Sequence, residues 1–349
     1  MRVVHVARGR DWRGGERQVL RLMLALAREP ELEQSLFTAA DCPLARAAAD
    51  SGLVVHPAVW RAGADPRALV GLHRLLRRTD PPRLLHAHDS HALLLAHFAG
   101  RWQQAPVIAT RRSANVPGRH GPWPRTTRVI AISRAVEQAL RAGGVAADRI
   151  SVIPSTVPVA RLAAQARTRA LDGPVVAIGA LTREKGHDVL LAALPLVLQR
   201  VPSTRLVIAG TGPAHAALVR QAAALGLAEQ VELLGAVEDI PALLRQAVVL
   251  AHPSRREALG TVVLEAMALG VPVVASRTGG LIELLTGGAG LLVEPGDPKA
   301  LAGALLTILT RPDTASALAM TGRIRVADYD DAGMTGRVTQ VYRSALVAP

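Results

Sequence analysis

Residues 248–276 read VVLAHPSRREALGTVVLEAMALGVPVVAS, and they predict a strand, a loop, a helix and a second strand. The short apolar runs at 248–251 and 271–275 are typical of strands buried in a parallel sheet. Between them, a helix is expected to begin at 259–261, and Gly270 is expected to end it. A strand, a helix and a strand in this order form one repeat of a parallel α/β sheet.

The same alternation extends along the whole chain. Residues 2–7 and 175–178 are apolar runs that each lead into a glycine-bearing turn and a helical pattern. The other runs that predict strands lie at 83–86, 107–110, 129–132, 150–153, 205–209 and 231–234. The sequence therefore predicts an α/β protein with doubly wound Rossmann-like domains at 1–158 and 171–330. The remaining segment, 331–349, is expected to form a helix that packs back on the first domain.

The composition excludes several classes of protein. Of the 349 residues, 50% are hydrophobic and 20% are charged, which is typical of a folded globular chain and not of a disordered one. The single cysteine, Cys42, cannot form an internal disulfide, so a reducing compartment is expected. Because no apolar run reaches the ~18 residues of a membrane span, we expect a cytoplasmic protein.

The net charge of +13 is concentrated in the first half of the chain. Residues 1–170 contain 26 basic and 12 acidic side chains, whereas residues 171–349 contain 15 and 16. An anionic partner for the first half would explain this distribution, and an arginine-rich solvated surface that reflects codon bias explains it equally well. Nucleic acid is a disfavoured partner because only 2% of the residues are aromatic and no Lys/Arg-rich tail is present.

Glycines mark two candidate anion-binding positions. Gly14 and Gly15 lie between the first predicted strand and helix, and Gly260 and Thr261 lie at the start of the helix in residues 248–276. The free N–H groups of a helix start, approached closely through glycine, suit a phosphate. Because the first pair lacks the third glycine of a GxGxxG motif, a nicotinamide cofactor is not supported.

The separation of two glutamates, Glu257 and Glu265, suggests that they contact the two ends of one extended ligand. On one helix, a separation of eight residues corresponds to ~12 Å. The carboxylates of a glycosidase lie only ~5–9.5 Å apart across a single bond. The spacing therefore disfavours a glycosidase.

The histidines of the segment His86-Ala-His88-Asp89-Ser90-His91 form a candidate metal site that we do not favour. Zinc could bind three imidazoles and a carboxylate, but catalytic zinc motifs use other spacings. Structural or acceptor-binding histidines are the preferred interpretation. No metal site is predicted.

A series of motifs follows in a fixed order along the chain. They are Gly14-Gly15-Glu16, Gly179-Ala180-Leu181, Glu184-Lys185-Gly186, Gly210-Thr211-Gly212, the glutamate pair with seven intervening residues, Gly279-Gly280 and Gly290-Leu291-Leu292-Val293. In this order the motifs resemble those of the retaining glycosyltransferases of family 4. The resemblance implies the GT-B fold, in which two Rossmann-like domains face each other across a cleft. It also implies sugar transfer from a nucleotide-diphosphate sugar without a metal ion or other cofactor.

The resemblance assigns roles to individual residues. Glu257 is expected to contact the donor sugar, Glu265 the ribose of the nucleotide, and Lys185 the diphosphate, so Glu257 and Lys185 are the expected catalytic residues. The other expected donor-binding residues are Gly14, Gly15, Arg183, Gly212, Leu259, Gly260 and Thr261.

Two positions depart from the family pattern. The arginine that usually provides a second diphosphate contact corresponds to Ala180, and Arg183 lies close enough in sequence to replace it. A histidine near the donor sugar in many members corresponds to Arg112. Arg112 is the third expected catalytic residue. Because arginine cannot act as a base at neutral pH, the leaving phosphate would take the proton of the acceptor hydroxyl.

The acceptor is expected to be an envelope glycan or a glycolipid that contacts His88, Asp89 and Arg111 of the first domain. Such an enzyme would act at the inner face of the plasma membrane as a peripheral protein. A nucleotide-sugar epimerase of the same architecture is the first alternative, and a basic nucleic-acid-binding protein is the second. The spacing of Glu257 and Glu265 favours the transferase.

Overall fold

The computed structural model of the protein describes residues 1–9, 12, 14–61, 63–166 and 172–347. The described chain divides into two compact units. Unit 1 comprises Met1–Ser155 and the C-terminal segment that begins at Asp331, and unit 2 comprises Thr156–Asp330.

Unit 1 is built on a seven-stranded parallel sheet. Its strands are β1 (Arg2–Ala7), β2 (Glu33–Ala39), β3 (Val55–Ala58), β4 (Arg83–Ala87), β5 (Val107–Arg111), β6 (Arg128–Ala131) and β7 (Ile150–Val152). Five helices connect them: α1 (Gly14–Leu26), α2 (Pro43–Asp50), α3 (Pro66–Arg77), α4 (Ser90–Gln103) and α5 (Arg134–Ala142). The strand order is β3-β2-β1-β4-β5-β6-β7.

Unit 2 is built on a six-stranded parallel sheet. Its strands are β8 (Val175–Ile178), β9 (Leu206–Ala209), β10 (Val231–Gly235), β11 (Val249–His252), β12 (Val273–Ser276) and β13 (Leu291–Val293). Its helices are α6 (Val159–Ala163), α7 (His187–Leu198), α8 (His215–Ala224), α9 (Ile240–Gln246), α10 (Thr261–Leu269), α11 (Gly280–Leu285), α12 (Pro298–Thr310) and α13 (Pro312–Val326). The strand order is β10-β9-β8-β11-β12-β13.

The strand order reverses once in each sheet, between β1 and β4 in unit 1 and between β8 and β11 in unit 2. The loops that leave neighbouring strands at such a point diverge to opposite faces of the sheet, which opens a crevice at the carboxyl ends of the strands. The prediction of two doubly wound α/β domains is therefore confirmed.

The last helix, α14 (Asp331–Val347), belongs to unit 1. Its apolar side, which includes Met334, Val338 and Tyr342, is buried against Leu84 and Ile108 of the seven-stranded sheet. This packing places the C-terminal helix over the middle strands of unit 1.

The helices begin and end where the sequence provides caps. Asp89 accepts a hydrogen bond from the backbone N–H of Ala92 and so caps α4, and Asp297 caps α12 in the same way. Gly270 ends α10 in the left-handed conformation, with φ of 73°. Among the helices in the described ranges, none is long and apolar enough to cross a membrane.

Three strands were not predicted from the sequence. β2 reads EQSLFTA, whose polar first half hides the apolar run, and β3 contains Pro57. β3 and β13 each lie at one edge of their sheet, where short and irregular sequences are tolerated, whereas the other two edge strands, β7 and β10, were predicted. The predicted inner strands agree with the structure to within two residues at each end.

Candidate functional site

In unit 2, two loops meet at the point where the strand order reverses. One follows β8 and contains a short 3₁₀ turn, Arg183–Lys185, and the other follows β11 and leads into α10. Gly186 has φ of 68°, and a Cβ atom at this position would collide with the carbonyl oxygen of Pro253. Glycine is therefore required for the two loops to pack backbone against backbone.

Glu257 accepts hydrogen bonds from three side chains in this contact. Its Oε2 atom lies 2.6 Å from Lys185 Nζ, 2.7 Å from His252 Nε2 and 3.4 Å from Ser254 Oγ. Its Oε1 atom accepts a hydrogen bond from the backbone N–H of Ala258 at 3.2 Å. The structure thus brings together Lys185 and Glu257, the two predicted catalytic residues of this unit, which lie 72 positions apart in the chain.

The electrostatics of this site favour an ionised Glu257. Burial alone would raise the pKa of the Glu257 carboxyl, but the hydrogen bond from His252 and the proximity of His252 and Lys185 lower it far below its usual range. Nearby, burial and the proximity of His252 lower the pKa of His187 to about 4. The site therefore holds a fixed carboxylate and a neutral imidazole at neutral pH.

A second ion pair ties the same two loops together. Arg255 donates to both carboxylate oxygens of Asp188, at 2.6 and 2.7 Å, and to the backbone carbonyl of Arg183 at 3.0 Å. The backbone N–H of Arg255 donates to the backbone carbonyl of Glu184 at 2.7 Å. Arg255 thus holds the turn that carries Lys185 against the loop that carries Glu257.

The other predicted donor-binding residues of this loop surround the start of α10. Gly260 is the N-cap with φ of 96°, Thr261 is the first helical residue, and Leu259 is buried. Glu265 lies in the second turn and is partly buried. The expected spacing of the two glutamates along one helix is wrong, because Glu257 lies in the loop before α10 and helical rise applies only from residue 261 onward.

Two further predicted donor-binding residues lie on neighbouring turns. Arg183 is exposed in the 3₁₀ turn before Lys185. Gly212 follows β9 and packs against the backbone of Leu181, where a Cβ atom would lie 2.5 Å from the Leu181 carbonyl oxygen. The role of both residues toward a donor stays a prediction.

In unit 1, a pocket of about 250 Å³ opens beyond the ends of β1, β4 and β5. It contains the predicted acceptor and catalytic residues of this unit together with the glycine turn. Its lining residues are Ala7, Gly9, Gly15, Glu16, Val19, His88, Asp89, Ser90, Thr110, Arg111, Arg112, Ser113 and Trp123.

Two arginines dominate the polar lining of this pocket. The guanidinium of Arg111 lies 4.8 Å above the ring of Trp123 and donates to the carbonyl of Asn115 at 2.6 Å. Arg112 donates to the carbonyl of His88 at 3.1 Å. Burial lowers the pKa of Arg112 to about 10, against the opposing charges of Glu16 and Asp89, so the side chain remains a cation at neutral pH.

A buried histidine cluster lies beneath the pocket and differs from the set considered in the sequence. His5, His86 and His88 bring one ring nitrogen each within 4.8 Å of one another, whereas His91 is exposed on α4. His5 Nδ1 lies 2.9 Å from His88 Nε2, and the two nitrogens of His86 each lie 2.7 Å from a hydroxyl, that of Tyr342 or of Thr110. Both nitrogens of His86 are thus engaged in hydrogen bonds within the protein.

The remaining predicted residues of unit 1 lie around the same pocket. Asp89 uses one carboxylate oxygen to cap α4 and the other to accept from the N–H of Arg8 at 2.9 Å. Gly14 and Gly15 are the first residues of α1, and a Cβ atom at Gly15 would meet nothing within 4 Å. A side chain at Gly15 would therefore project into open space at the helix start.

Several site residues were missed in the sequence. His252 is the last residue of β11 and Asp188 is the second residue of α7, so both lie where a parallel sheet binds ligands. A histidine at the end of an apolar run could have indicated the first, but the pairing of Asp188 with Arg255 joins residues 67 positions apart. His5 is hidden in the middle of β1.

Comparison with known sequences identifies two family matches, one in each half. Residues 12–161 match the family described as Glycosyltransferase Family 4. Residues 169–325 match the family described as Glycosyl transferases group 1. Together the two matches cover most of the chain.

Individual relatives agree with these matches. A GDP-mannose-dependent alpha-(1-6)-phosphatidylinositol monomannoside mannosyltransferase of Mycolicibacterium smegmatis is 35% identical over 281 residues, 76% of this chain and 70% of that protein. A glycogen synthase of Mycobacterium tuberculosis is 30% identical over 320 residues, 84% of this chain and 75% of that protein. These relatives are transferases, so the epimerase alternative is not favoured.

Solved structures share the fold. The Anabaena protein HepE, in a crystal structure with UDP and glucose, superposes with a TM-score of 0.85 at 21% identity, over 99% of this chain and 100% of that chain. The sucrose-phosphate synthase of Thermosynechococcus elongatus superposes with a TM-score of 0.76 at 22% identity, over 100% of both chains. The architecture is thus the GT-B fold.

Proposed function

The chain belongs to glycosyltransferase family 4, and on this basis we propose that it is a retaining hexosyltransferase that uses a nucleotide-diphosphate sugar. The acceptor in this proposal is a lipid-linked saccharide or another envelope glycan. The observation that carries the proposal is the contact of Lys185 with Glu257 where the strand order of unit 2 reverses.

Lys185 supplies the charge that sugar transfer requires. When the glycosidic bond breaks, negative charge accumulates on the leaving nucleoside diphosphate. A cation that is already fixed at the phosphate stabilises this charge without reorganisation. The side chain of Lys185 is 26% exposed, so it is held by Glu257 yet reachable by a ligand.

Glu257 and the start of α10 complete the proposed donor site. An ionised carboxylate accepts hydrogen bonds from sugar hydroxyls, which is the role we propose for Glu257. The free N–H groups at Gly260 and Thr261 suit a phosphate, because a helix start offers unpaired donors and a favourable dipole. Glu265, one turn further along α10, is proposed to bind the ribose.

Arg112 fits a mechanism without a protein base at the acceptor. A cation cannot remove the proton of the acceptor hydroxyl. We therefore propose that the leaving phosphate takes this proton on the same face of the sugar, which retains the configuration of the anomeric carbon. Arg112 would contact a phosphate or a sugar hydroxyl from the pocket of unit 1.

The acceptor is proposed to bind in the pocket of unit 1, where His88, Asp89 and Arg111 lie. The acceptor in the printed name of the Mycolicibacterium smegmatis relative is a phosphatidylinositol monomannoside. By analogy, we propose a lipid-linked acceptor at the cytoplasmic face of the plasma membrane. No metal ion or other cofactor takes part in the proposed reaction.

The proposal is tested by incubating the protein with UDP-, GDP- and ADP-linked α-hexoses and a membrane-lipid extract, followed by NMR analysis of the purified product. We expect a new α-linked hexose, identified by its one-bond C1–H1 coupling constant, which distinguishes the two anomers of any hexose. A β-linked product would contradict retention. The absence of any product from all three donors would contradict the proposed substrates.

A further inference from the structure

Two neighbouring helices of unit 1, α3 and α4, present an exposed face that combines apolar and cationic side chains. The exposed residues that define this α3–α4 face are Val70, Arg74, Arg77, Phe98, Arg101 and Trp102. The helices contact each other at this face. The rings of His73 and Trp102 meet edge to face at 5.4 Å, and Gln103 Nε2 lies 3.0 Å from His73 Nδ1.

The apolar part of this face is unusual for this chain. The sequence has four Trp, two Phe and two Tyr. Among them, the exposed ones are Trp12 at 39%, Phe98 at 44% and Trp102 at 59%. Two of the three most exposed aromatic side chains therefore lie four residues apart on one helix. The exposure of large aromatic side chains to water is unfavourable. Exposed aromatic side chains beside cationic ones are typical of a surface that contacts a membrane interface.

The charged part of the face is uniformly positive. Neither α3 nor α4 contains an aspartate or a glutamate. Within the described part of the chain, Arg74, Arg77 and Arg101 make no ion pair. The carboxylates that precede the two helices, Asp65 and Asp89, are engaged by backbone N–H groups at the helix starts. The arginines are thus available to an anionic surface.

From this combination we propose that the α3–α4 face docks on the surface of an anionic lipid bilayer. Arginine attracts lipid phosphates, while Trp102, Phe98 and Val70 enter the interface between head groups and acyl chains. A nucleic acid would not require the aliphatic contribution of Val70. The choice of a membrane as partner rests on the proposed function, in which the acceptor is lipid-linked.

The position of α4 connects this face to the acceptor pocket. Ser90, the first residue of α4, lines the pocket, and Phe98 and Trp102 lie on the same helix. At ~1.5 Å per residue, they are about 12 and 18 Å along the helix from Ser90. A bilayer bound at Phe98 and Trp102 therefore lies about 12 to 18 Å from this pocket-lining residue.

The opposite face of the sheet provides a matched control. α4 packs near Leu85 and Val107, whereas α14 packs against Leu84 and Ile108. Successive side chains of a strand point to opposite faces, so α4 and α14 lie on opposite sides of the sheet. Arg337 and Arg343 of α14 are exposed, and Arg343 pairs with Glu31 at 3.0 Å. Both can be substituted without any change to the α3–α4 face.

The test is sedimentation of the full-length protein with vesicles of phosphatidylcholine alone or mixed with phosphatidylglycerol. We expect binding only to the mixed vesicles, and weaker binding as salt is added. Each arginine near an anionic surface contributes about fivefold to binding, so Arg74→Gln with Arg77→Gln should weaken it by about 25-fold. Phe98→Ala with Trp102→Ala should weaken it by about tenfold or more.

The control Arg337→Gln with Arg343→Gln has the same change in charge and should bind like the wild type. Equal weakening by this control would overturn the proposal, as would no binding to mixed vesicles at low salt. If random-sequence DNA displaced the protein completely from the vesicles, the face would be assigned to nucleic acid instead. Nucleotide binding by the same variants, measured by thermal shift, should not change. This measurement separates failure of the docking inference from failure of the proposed donor site.

Discussion

Lys185 Nζ and Glu257 Oε2 lie 2.6 Å apart, although 72 positions separate the two residues in the chain. The Glu257 side chain is 11% exposed, and His252 donates to the same oxygen at 2.7 Å. A buried carboxylate with this many donors is held in one place, and it holds the ammonium in turn. The two charges that the proposed reaction needs are therefore positioned before a donor arrives.

The ion pair of Arg255 with Asp188 should control the rate without controlling the fold. Arg255→Gln frees the turn that carries Lys185, and a misplacement of ~1 Å at a reacting group can cost about 100-fold. We expect a large fall in kcat with a smaller change in KM, and partial recovery in Arg255→Lys. The neighbouring Arg256 is exposed and lies 3.9 Å from Glu184, so Arg256→Gln is the control.

Steady-state kinetics of the three variants measure this effect. If Arg255→Gln and Arg256→Gln reduced kcat equally, the positioning role of Arg255 would be wrong.

Gly186 should be intolerant of any side chain. Gly186→Ala places a Cβ atom on a backbone that is already left-handed, which costs about 1–2 kcal/mol, and that atom also collides with Pro253. Gly226 has the same φ of 68° with nothing within 4 Å of a Cβ atom, so Gly226→Ala carries the backbone cost alone. Thermal unfolding should show a clearly lower midpoint for Gly186→Ala. Equal midpoints would mean that the two loops do not pack as described.

The buried histidines of unit 1 should make its stability depend on pH. Burial lowers the pKa of His5 from 6.5 to about 3, and those of His86 and His88 well below 6.5. In the unfolded chain these side chains take up protons below 6.5, whereas in the folded protein they stay neutral. Stability is therefore retained above pH 6.5 and lost below it, by ~1.4 kcal/mol per histidine and pH unit.

Urea unfolding from neutral pH to about pH 5 measures this loss. His5→Gln removes one titrating group and should flatten the dependence. A free energy of unfolding that does not change over this range would contradict the buried cluster.

Removal of metal ions should not affect the enzyme. In the proposed reaction, Lys185 and the N–H groups at the start of α10 stabilise the charge on the leaving diphosphate, and no metal ion takes part. Transfer activity after treatment with EDTA and desalting should equal that of the untreated protein. A loss of activity that added Mg²⁺ or Mn²⁺ restores would contradict this assignment.

The sequence predicted the fold more fully than the site. Apolar runs such as residues 175–178 identify inner strands because burial on both faces excludes polar residues there. β3 and β13, each at one edge of its sheet, lack this pattern: β3 has only four residues and includes Pro57, and β13 has only three residues.

For the site, Lys185 and Glu257 could be predicted from their motifs, but not the residues that position them. The pairing of Arg255 with Asp188 depends on how two loops pack, which no local pattern records. The cluster of His5 with His86 and His88 arises because β1 and β4 are neighbours in the sheet, with His5 opposite His86. Such juxtapositions follow from strand order and register.

The central claim is that Lys185 holds the diphosphate of a nucleotide sugar. Isothermal titration calorimetry with UDP, GDP and ADP, on the wild type, on Lys185→Ala and on Lys299→Ala, tests it most directly. Lys299 is the other lysine of the chain and is exposed on α12. We predict that one nucleoside diphosphate binds the wild type and Lys299→Ala equally, and binds Lys185→Ala at least about tenfold more weakly, because a charge-assisted hydrogen bond is lost. Equal binding by Lys185→Ala, or no binding of any nucleoside diphosphate to the folded wild type, would contradict the claim.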